Sequence, residues 1–418
     1  MGNTNIISLI DGLEIPYRLS EIVISYLLSL MLPADKHTLT NAEKISGKAN
    51  SLFTNLLDNL NVPIIALNRA ARRKIAKVMK LRRPLCKGAP WSIAIIIDST
   101  LHERSTRHTE NSQKFNHGKG YVLGHQWTNA AILINDELIP LPPIPFYTID
   151  ECKDRNKEYR TEHEKIINFI RTMSLPDLLG EDCASEIVVL TDSGYDNNDI
   201  QNAIAKRGMS YVASIKTTRK IFINKSNASE IAEYFKDGRR PCKTVKLRVD
   251  GKNKKWRCYA IKQQEGTLKG SKRIVKLVCS KRSNGKMKFL SCSKSELDAK
   301  IIIALYQRRW EIELFHKAIK SYLGLEDAGL HSFDRLHAHV LWVYTAFILI
   351  NELPCKAKKI GIKKRQEFLV LSIQSKNIKS ILKKSTQING LANVKKHCLS
   401  VIQCQRNGLY NVDRMFKR

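Results

Sequence analysis

Two aspartates and one helix hold the residue types that could do chemistry together. Asp98 closes the apolar run Ser92-Ile-Ala-Ile-Ile-Ile97, and Asp192 stands one residue beyond a second run, Ile187-Val-Val-Leu190. Continuous apolar runs of that length predict strands buried on both faces. A carboxylate is costly inside such a sheet, yet the carboxyl end of a strand is the customary site edge of an α/β fold. One such Asp is commonplace as a cap or turn residue, whereas two together favour function. Ligation of a hard divalent cation such as Mg2+ is their natural role.

The third group lies in Tyr306-Gln-Arg-Arg309-Trp-Glu-Ile-Glu313-Leu-Phe-His-Lys-Ala-Ile-Lys320. The pattern predicts one long helix from Glu296 to about Leu323. At about 100° per residue, Tyr306, Arg309, Glu313 and Lys320 fall in a stripe about 60° wide. A solvated face with an Arg309–Glu313 ion pair accounts for two of the four. A third carboxylate, two cations and an aromatic on one stripe suit a surface that holds metal and phosphates.

Several elements must position these groups. Residues 1–90 read as helical: Ile22–Leu32 stopped by Pro33, a weaker helix over Thr40–Leu60, and a basic one over Arg69–Arg83 ended by Pro84. The basic helix suits reading a DNA end or packing as a lid, and the pattern leaves both open. Residues 91–215 alternate strand and helix, with strands at Tyr121–Leu123, Ala130–Ile134, Leu138–Leu141 and Tyr211–Ile215 and helices at Glu162–Met173 and Asp196–Lys206. Residues 216–293 turn to short β-like runs with glycines between them, a basic β-rich insertion. Residues 294–350 carry the glutamate helix and a buried helix, Val340–Ile350, and residues 351–418 are basic and helical.

Charge is segregated along this layout. The 418-residue chain carries +32, of which residues 213–293 supply +18 and residues 351–418 supply +13, so the rest is nearly neutral. Such segregation raises self-repulsion unless a polyanion neutralises it, and nucleic acid is the polyanion that rewards it by counterion release. The longest apolar runs have 11 residues, short of the roughly 20 that span a bilayer. No signal peptide or myristoylation motif opens the chain, so a soluble, cytoplasmic protein is expected. The ten cysteines form no Cys-x-x-Cys pair, and His102, His108, His117 and His125 fit no common zinc spacing. His331, His337 and His339 read as packing or phosphate-contacting residues. Neither a Walker loop nor a Gly-x-Ser-x-Gly elbow occurs.

Tyr-x2-Arg-x3-Glu-x6-Lys, at Tyr306, Arg309, Glu313 and Lys320, matches the YREK signature of DDE insertion-sequence transposases with no departure in spacing. The chain resembles insertion-sequence family four, which cuts and pastes DNA through hairpin ends. Asp98-Ser-Thr and Asp192-Ser-Gly-Tyr look like that family's two Asp motifs in order, and Trp310, Ile312 and Phe315 resemble the motif's hydrophobic filling. The likeness covers roughly residues 91–350.

This resemblance implies an RNase H-like catalytic core of the α/β class, interrupted by the β-rich insertion and flanked by helical N- and C-terminal regions. It implies Asp98, Asp192 and Glu313 as catalytic residues and ligands of two Mg2+ ions, with Mn2+ as a substitute and Asp98 bridging the pair. Arg309 and Lys320 would bind DNA phosphates, and Tyr306 would contact DNA near the cut. Trp256, amid Lys252, Lys254, Lys255 and Arg257, is either the aromatic that traps a flipped base or a core tryptophan of the β segment. The implied partners are double-stranded DNA, as element ends and target, and a second copy of the chain, with residues 351–418 as a possible dimer surface. A bacterial, nucleoid-associated location follows. The competing readings are a catalytically inactive transposase-derived DNA-binding protein or regulator, whose mark is a lost carboxylate, and a different RNase H-like nuclease.

Overall fold

The computed structural model describes residues 6–104, 109–116, 120–223, 227–236, 242–248, 256–282, 285–353 and 361–374. His108, His117, Lys252, Lys254, Lys255 and most of the basic C-terminal segment lie outside them, as does the side chain of Trp256.

Its centre is a strand, Ile93–Glu103, whose first five residues are buried on both faces. This strand pairs antiparallel with the long strand Tyr121–Ile134 and parallel with Ile187–Thr191, which in turn pairs parallel with Ser210–Ser214. Tyr121–Leu123 and Ala130–Ile134, expected as separate strands, are the two ends of one 14-residue strand. The return strand Glu137–Pro140 follows a tight turn in which Asn135 adopts a left-handed φ of 57°. Asn tolerates that conformation because its side chain can bond locally.

The basic segment does not build a sheet of its own. Met287–Cys292 pairs with Ser210–Ser214, then Ile274–Arg282 and Trp256–Leu268 follow outward. Lys243–Arg248 and Lys220–Phe222 join the same sheet, which with the short strands Gln113–Asn116, Ile144–Pro145 and Ser229–Glu230 has 13 strands among the described residues.

Helices cover both faces, as two neighbours on the long strand show. Successive strand residues point to opposite faces. Thr128 donates to Glu162 at the start of helix Glu162–Thr172 on one side, at 2.8 Å. Asn129 meets helices Trp310–Tyr322 and Phe333–Glu352 on the other. Phe333–Glu352 is the helix around which the rest packs, with every residue from Leu336 to Ile350 buried.

Two expected helices are each divided. Thr40–Leu60 becomes Leu39–Ser46 and Asn50–Leu57, because Gly47 ends the first in the left-handed conformation with φ 70°. The single helix expected from Glu296 to Leu323 becomes Ala299–Gln307 and Trp310–Tyr322. Between them the backbone tightens to i→i+3 bonds, Arg308 N–H to Leu305 and Arg309 N–H to Tyr306. The reason lies in the two arginines. Arg308 is drawn to Asp136 at 3.0 Å, while Arg309 turns to Asp98 and Glu313. A regular helix would separate these neighbours by only about 100°.

The basic N-terminal helix, Asn61–Met79, spends its cations on packing. Arg69 bonds the carbonyls of Leu13 and Glu14, Arg73 pairs with Glu352 at 2.7 Å, and Lys74 pairs with Glu137 at 3.1 Å. These three serve the packing role; Arg72, Lys77 and Lys80 remain exposed.

Histidines tie the N-terminal helices and the central strands to this core. Tyr26 donates to His339 Nδ1 at 2.7 Å, and Trp127 Nε1 donates to His337 Nδ1 at 3.0 Å. Burial pushes the pKa of both histidines down to about 4. Neither binds a proton in the folded state until the pH falls well below the range in which an unfolded histidine does. Their contribution is therefore complete above about pH 6.5 and is lost as the pH falls toward 4. The expected loss is on the order of 2–3 kcal/mol for each histidine. Guanidinium denaturation at pH 7, 6 and 5 should show the midpoint falling steeply, and a flat profile would contradict the buried neutral state.

Candidate active site

Parallel pairing places Ile97 beside Thr191, so Asp192 emerges where its strand ends, next to Asp98. Asp98, expected at the end of its own strand, is instead the sixth of the eleven residues of Ile93–Glu103 and stays paired with Asn129, because the strand continues along Tyr121–Ile134. Asp192 caps the short turn Ser193–Tyr195, accepting from the Gly194 N–H at 2.8 Å. Asp98 accepts from the Ser99 N–H at 3.0 Å through Oδ1, which leaves Oδ2 for Arg309 Nη1 at 2.9 Å. Arg309 Nη2 reaches Glu313 Oε1, one helical turn on. One guanidinium thus bridges the strand carboxylate and the helix carboxylate.

Asp192 acts on this pair through its charge. Burial raises the Asp98 pKa to about 6; Arg309 and the Ser99 N–H oppose the rise, while Asp192 and Glu313 add to it. Burial disfavours the charge on Arg309, but Tyr306, Asp98, Glu313 and Asp192 outweigh it and hold the group above its usual value. Tyr306 packs its ring against this guanidinium, 5.9 Å from the centroid, with Lys288 at 6.0 Å. Burial also raises the Tyr306 phenol, while Arg309 and Ser214 oppose the rise.

Of the expected site residues, Asp98, Asp192, Glu313, Arg309 and Tyr306 therefore come together. Lys320 stands apart from the carboxylates: its ammonium donates to the Leu101 carbonyl and pairs with Glu326, both at 2.6 Å. It fastens the glutamate helix to the central strand. Trp310 corrects an expectation. Ile312 and Phe315 are buried filling, but Trp310 is 57% exposed, because it opens the second helix just after the tightened turn.

A family model described as a transposase DDE domain matches residues 92–349, which span the sheet core, the basic strands and the glutamate helix. The chain belongs to the DDE transposase family. A search of curated proteins finds no match. Transposition chemistry, and with it action on DNA, is the family's general activity, and divalent metals generally serve it.

By donor chemistry alone, the carboxylates Asp98, Asp192 and Glu313 suit a divalent metal. Asp98 and Glu313 present hard carboxylate oxygens near enough to share one guanidinium, and Asp192 lies within electrostatic reach of both Asp98 and Arg309. Among the described residues, no three His, Cys, Asp or Glu side chains are gathered around one point. Arg309 stands between two of the three carboxylates. Nor does any described helix have the length and apolarity to cross a membrane. Among the described cysteines all are free thiols, and Cys152, Cys183, Cys279 and Cys292 are buried.

Residues that sequence reasoning missed hold this cluster in place. Tyr344 donates to Asn129 Oδ1 at 2.7 Å, and Asn129 Nδ2 donates to His316 Nε2 at 2.8 Å. Asn129 faces Asp98 across the strand pair, and His316 lies three residues beyond Glu313, so the chain sets helix against strand. Accepting at Nε2 requires a neutral ring, and burial, aided by Lys320 and Arg309, lowers the His316 pKa to about 3. On the other face Glu162 Oε1 accepts from both Thr128 and Tyr195 at 2.8 Å, anchoring the turn that begins at Asp192. His163 adds a bond to the Gly194 carbonyl at 2.9 Å. Asn129 heads an apolar stretch, a visible oddity, but its partners lie 187 and 215 residues away.

Removing one member of the buried chain strands the others. Tyr344→Phe should cost about 1–2 kcal/mol, and Asn129→Ala about 2–4 kcal/mol because two partners lose their bonds. The double variant should cost less than the sum. Urea midpoints measure all three, and simple additivity would show the residues to be uncoupled.

Proposed function

We propose that the chain is an active insertion-sequence transposase of the YREK type. It would bind the ends of its element and carry out Mg-dependent strand cleavage and strand transfer through a hairpin intermediate. The observation that carries this is the bridge that Arg309 makes between Asp98 and Glu313, with Asp192 following the strand that pairs beside Asp98. The strand order supports an RNase H-like core. The central strand lies antiparallel to Tyr121–Ile134 and parallel to Ile187–Thr191, and the glutamate arrives last on a helix against the central strand. The basic strands between Ser210–Ser214 and that helix occupy the place of the insertion.

In this reading water first cuts one strand. The freed 3′-hydroxyl then attacks the opposite strand and closes a hairpin, a second water opens it, and the 3′-hydroxyl attacks target DNA. Divalent cations on the three carboxylates would activate water and stabilise the leaving 3′-oxygen. The protein's own residues orient the rest. Asp98 and Asp192 are fixed by sheet register, Glu313 by its helix, and that helix by Lys320 and the Asn129 chain. Arg309 and Tyr306 provide the phosphate and sugar contacts beside the cut, with Lys288 adjoining. Exposed Arg72, Lys77 and Lys80, together with the basic strands, would bear on the duplex. Trp256 begins the strand Trp256–Leu268 opposite Arg248 and would stack on a flipped base. Residues 351–418, largely outside the described residues, would form the dimer surface.

An inactive descendant would carry a lost carboxylate, and none is lost here. Asp98→Asn, Asp192→Asn and Glu313→Gln should each lower cleavage at least about 10³-fold. Gel-shift affinity for the element's end should stay within a few-fold of the wild type. Loss of binding in parallel with cleavage would overturn the assignment.

A further inference from the structure

We infer that Arg309 is the resident counter-ion of the Asp98–Glu313 pair, and that a divalent cation loads only by displacing it toward DNA phosphate. The inference rests on the metal-dependent reading of the three carboxylates.

The geometry makes the two cations competitors. Arg309 commits Nη1 to Asp98 Oδ2 at 2.9 Å and Nη2 to Glu313 Oε1. Its side chain is only 14% exposed, so solvent contributes little to holding the charge. A divalent cation held between Asp98 and Glu313 competes for those oxygens and repels the guanidinium that now lies there. The charge balance still favours exchange. Three carboxylates against one guanidinium leave two negative charges uncompensated, a deficit that a divalent ion fills and a monovalent side chain does not.

Displacement has somewhere to lead. Tyr306 already lies beside the guanidinium, 5.9 Å from its ring, and Lys288 lies 6.0 Å from the same ring. A guanidinium turned onto that side keeps a partner in the tyrosine and gains a cationic neighbour, an arrangement that becomes favourable once a phosphate stands between the two. Metal and DNA are thereby linked. Metal frees Arg309 for phosphate, phosphate draws Arg309 from the carboxylates, and by reciprocity each raises the affinity of the other. Without DNA the site holds its own cation and binds metal weakly, which keeps water-activating metal off the protein until substrate arrives.

The test is a Mn2+ titration of the full chain without DNA, followed by calorimetry and by the electron paramagnetic resonance of free Mn2+. Arg309→Gln should bind Mn2+ about 5- to 150-fold more tightly than the wild type, the usual span of such couplings. Glu313→Gln should lose that gain. Phenylglyoxal labelling read by mass spectrometry supplies a second measurement on the unaltered protein: saturating Mn2+ should speed modification of Arg309 several-fold. If Arg309→Gln fails to fold, this labelling decides alone, faster labelling supporting the exchange and unchanged labelling overturning it. Equal or weaker Mn2+ binding by a folded Arg309→Gln overturns the exchange and leaves the metal reading standing. Absence of Mn2+ binding from both proteins overturns the two together.

Discussion

Two carboxylates, Asp98 and Glu313, share one guanidinium in a site partly withdrawn from water, with Asp192 nearby, and the rest of the structure is arranged around that cost. Nothing in a sheet interior can tolerate Asp98, which is why it stands where the buried run of the central strand ends. Burial and its acidic neighbours push its pKa up to about 6, and only Arg309 and one backbone N–H pull the other way. Breaking such a pair by removing one partner typically costs about 3–5 kcal/mol, more than a single surface contact could return. Arg309 is therefore as much a part of the fold as of the chemistry.

The scaffold answers this constraint with rigid elements on both sides of the sheet. Register between parallel strands sets Asp98 against Asp192. The Tyr344–Asn129–His316 chain and Lys320 fix the helix that delivers Glu313, and Glu162 with Tyr195 fixes the turn of Asp192. Because these supports are buried or partly buried hydrogen bonds, small displacements are penalised and the carboxylates stay in register. The N-terminal helices contribute to the same end, since Arg73 and Tyr26 bond residues of the central helix Phe333–Glu352.

Much of this could be read from the chain alone. Period-two and all-apolar patterns located the four core strands, and the fixed spacing of Tyr306, Arg309, Glu313 and Lys320 marked the third carboxylate. Local chemistry is what such patterns record. They could not show that Arg308 and Arg309 seek carboxylates in different directions, so the break between Gln307 and Trp310 was invisible, as was the exposure of Trp310 that follows from it. Nor could they show that Lys320 spends its charge on the Leu101 carbonyl and Glu326. Asn129, His316 and Tyr344 escaped notice for the same reason: their meaning lies in partners nearly 200 residues distant. The basic segment was legible as charge and as strands, but its continuity with the central sheet depends on one pairing, Met287–Cys292 on Ser210–Ser214.

The central claim is that these three carboxylates form one metal-dependent centre for DNA strand chemistry. The most direct measurement incubates the purified protein with a 5′-labelled linear duplex carrying its own element's end, with Mg2+ or with EDTA, and resolves the products on a denaturing gel. A nicked strand followed by a hairpin of twice the length of the element-end arm is expected with Mg2+ and not with EDTA. Binding to the duplex with no metal-dependent product, or cutting that persists in EDTA, would contradict it.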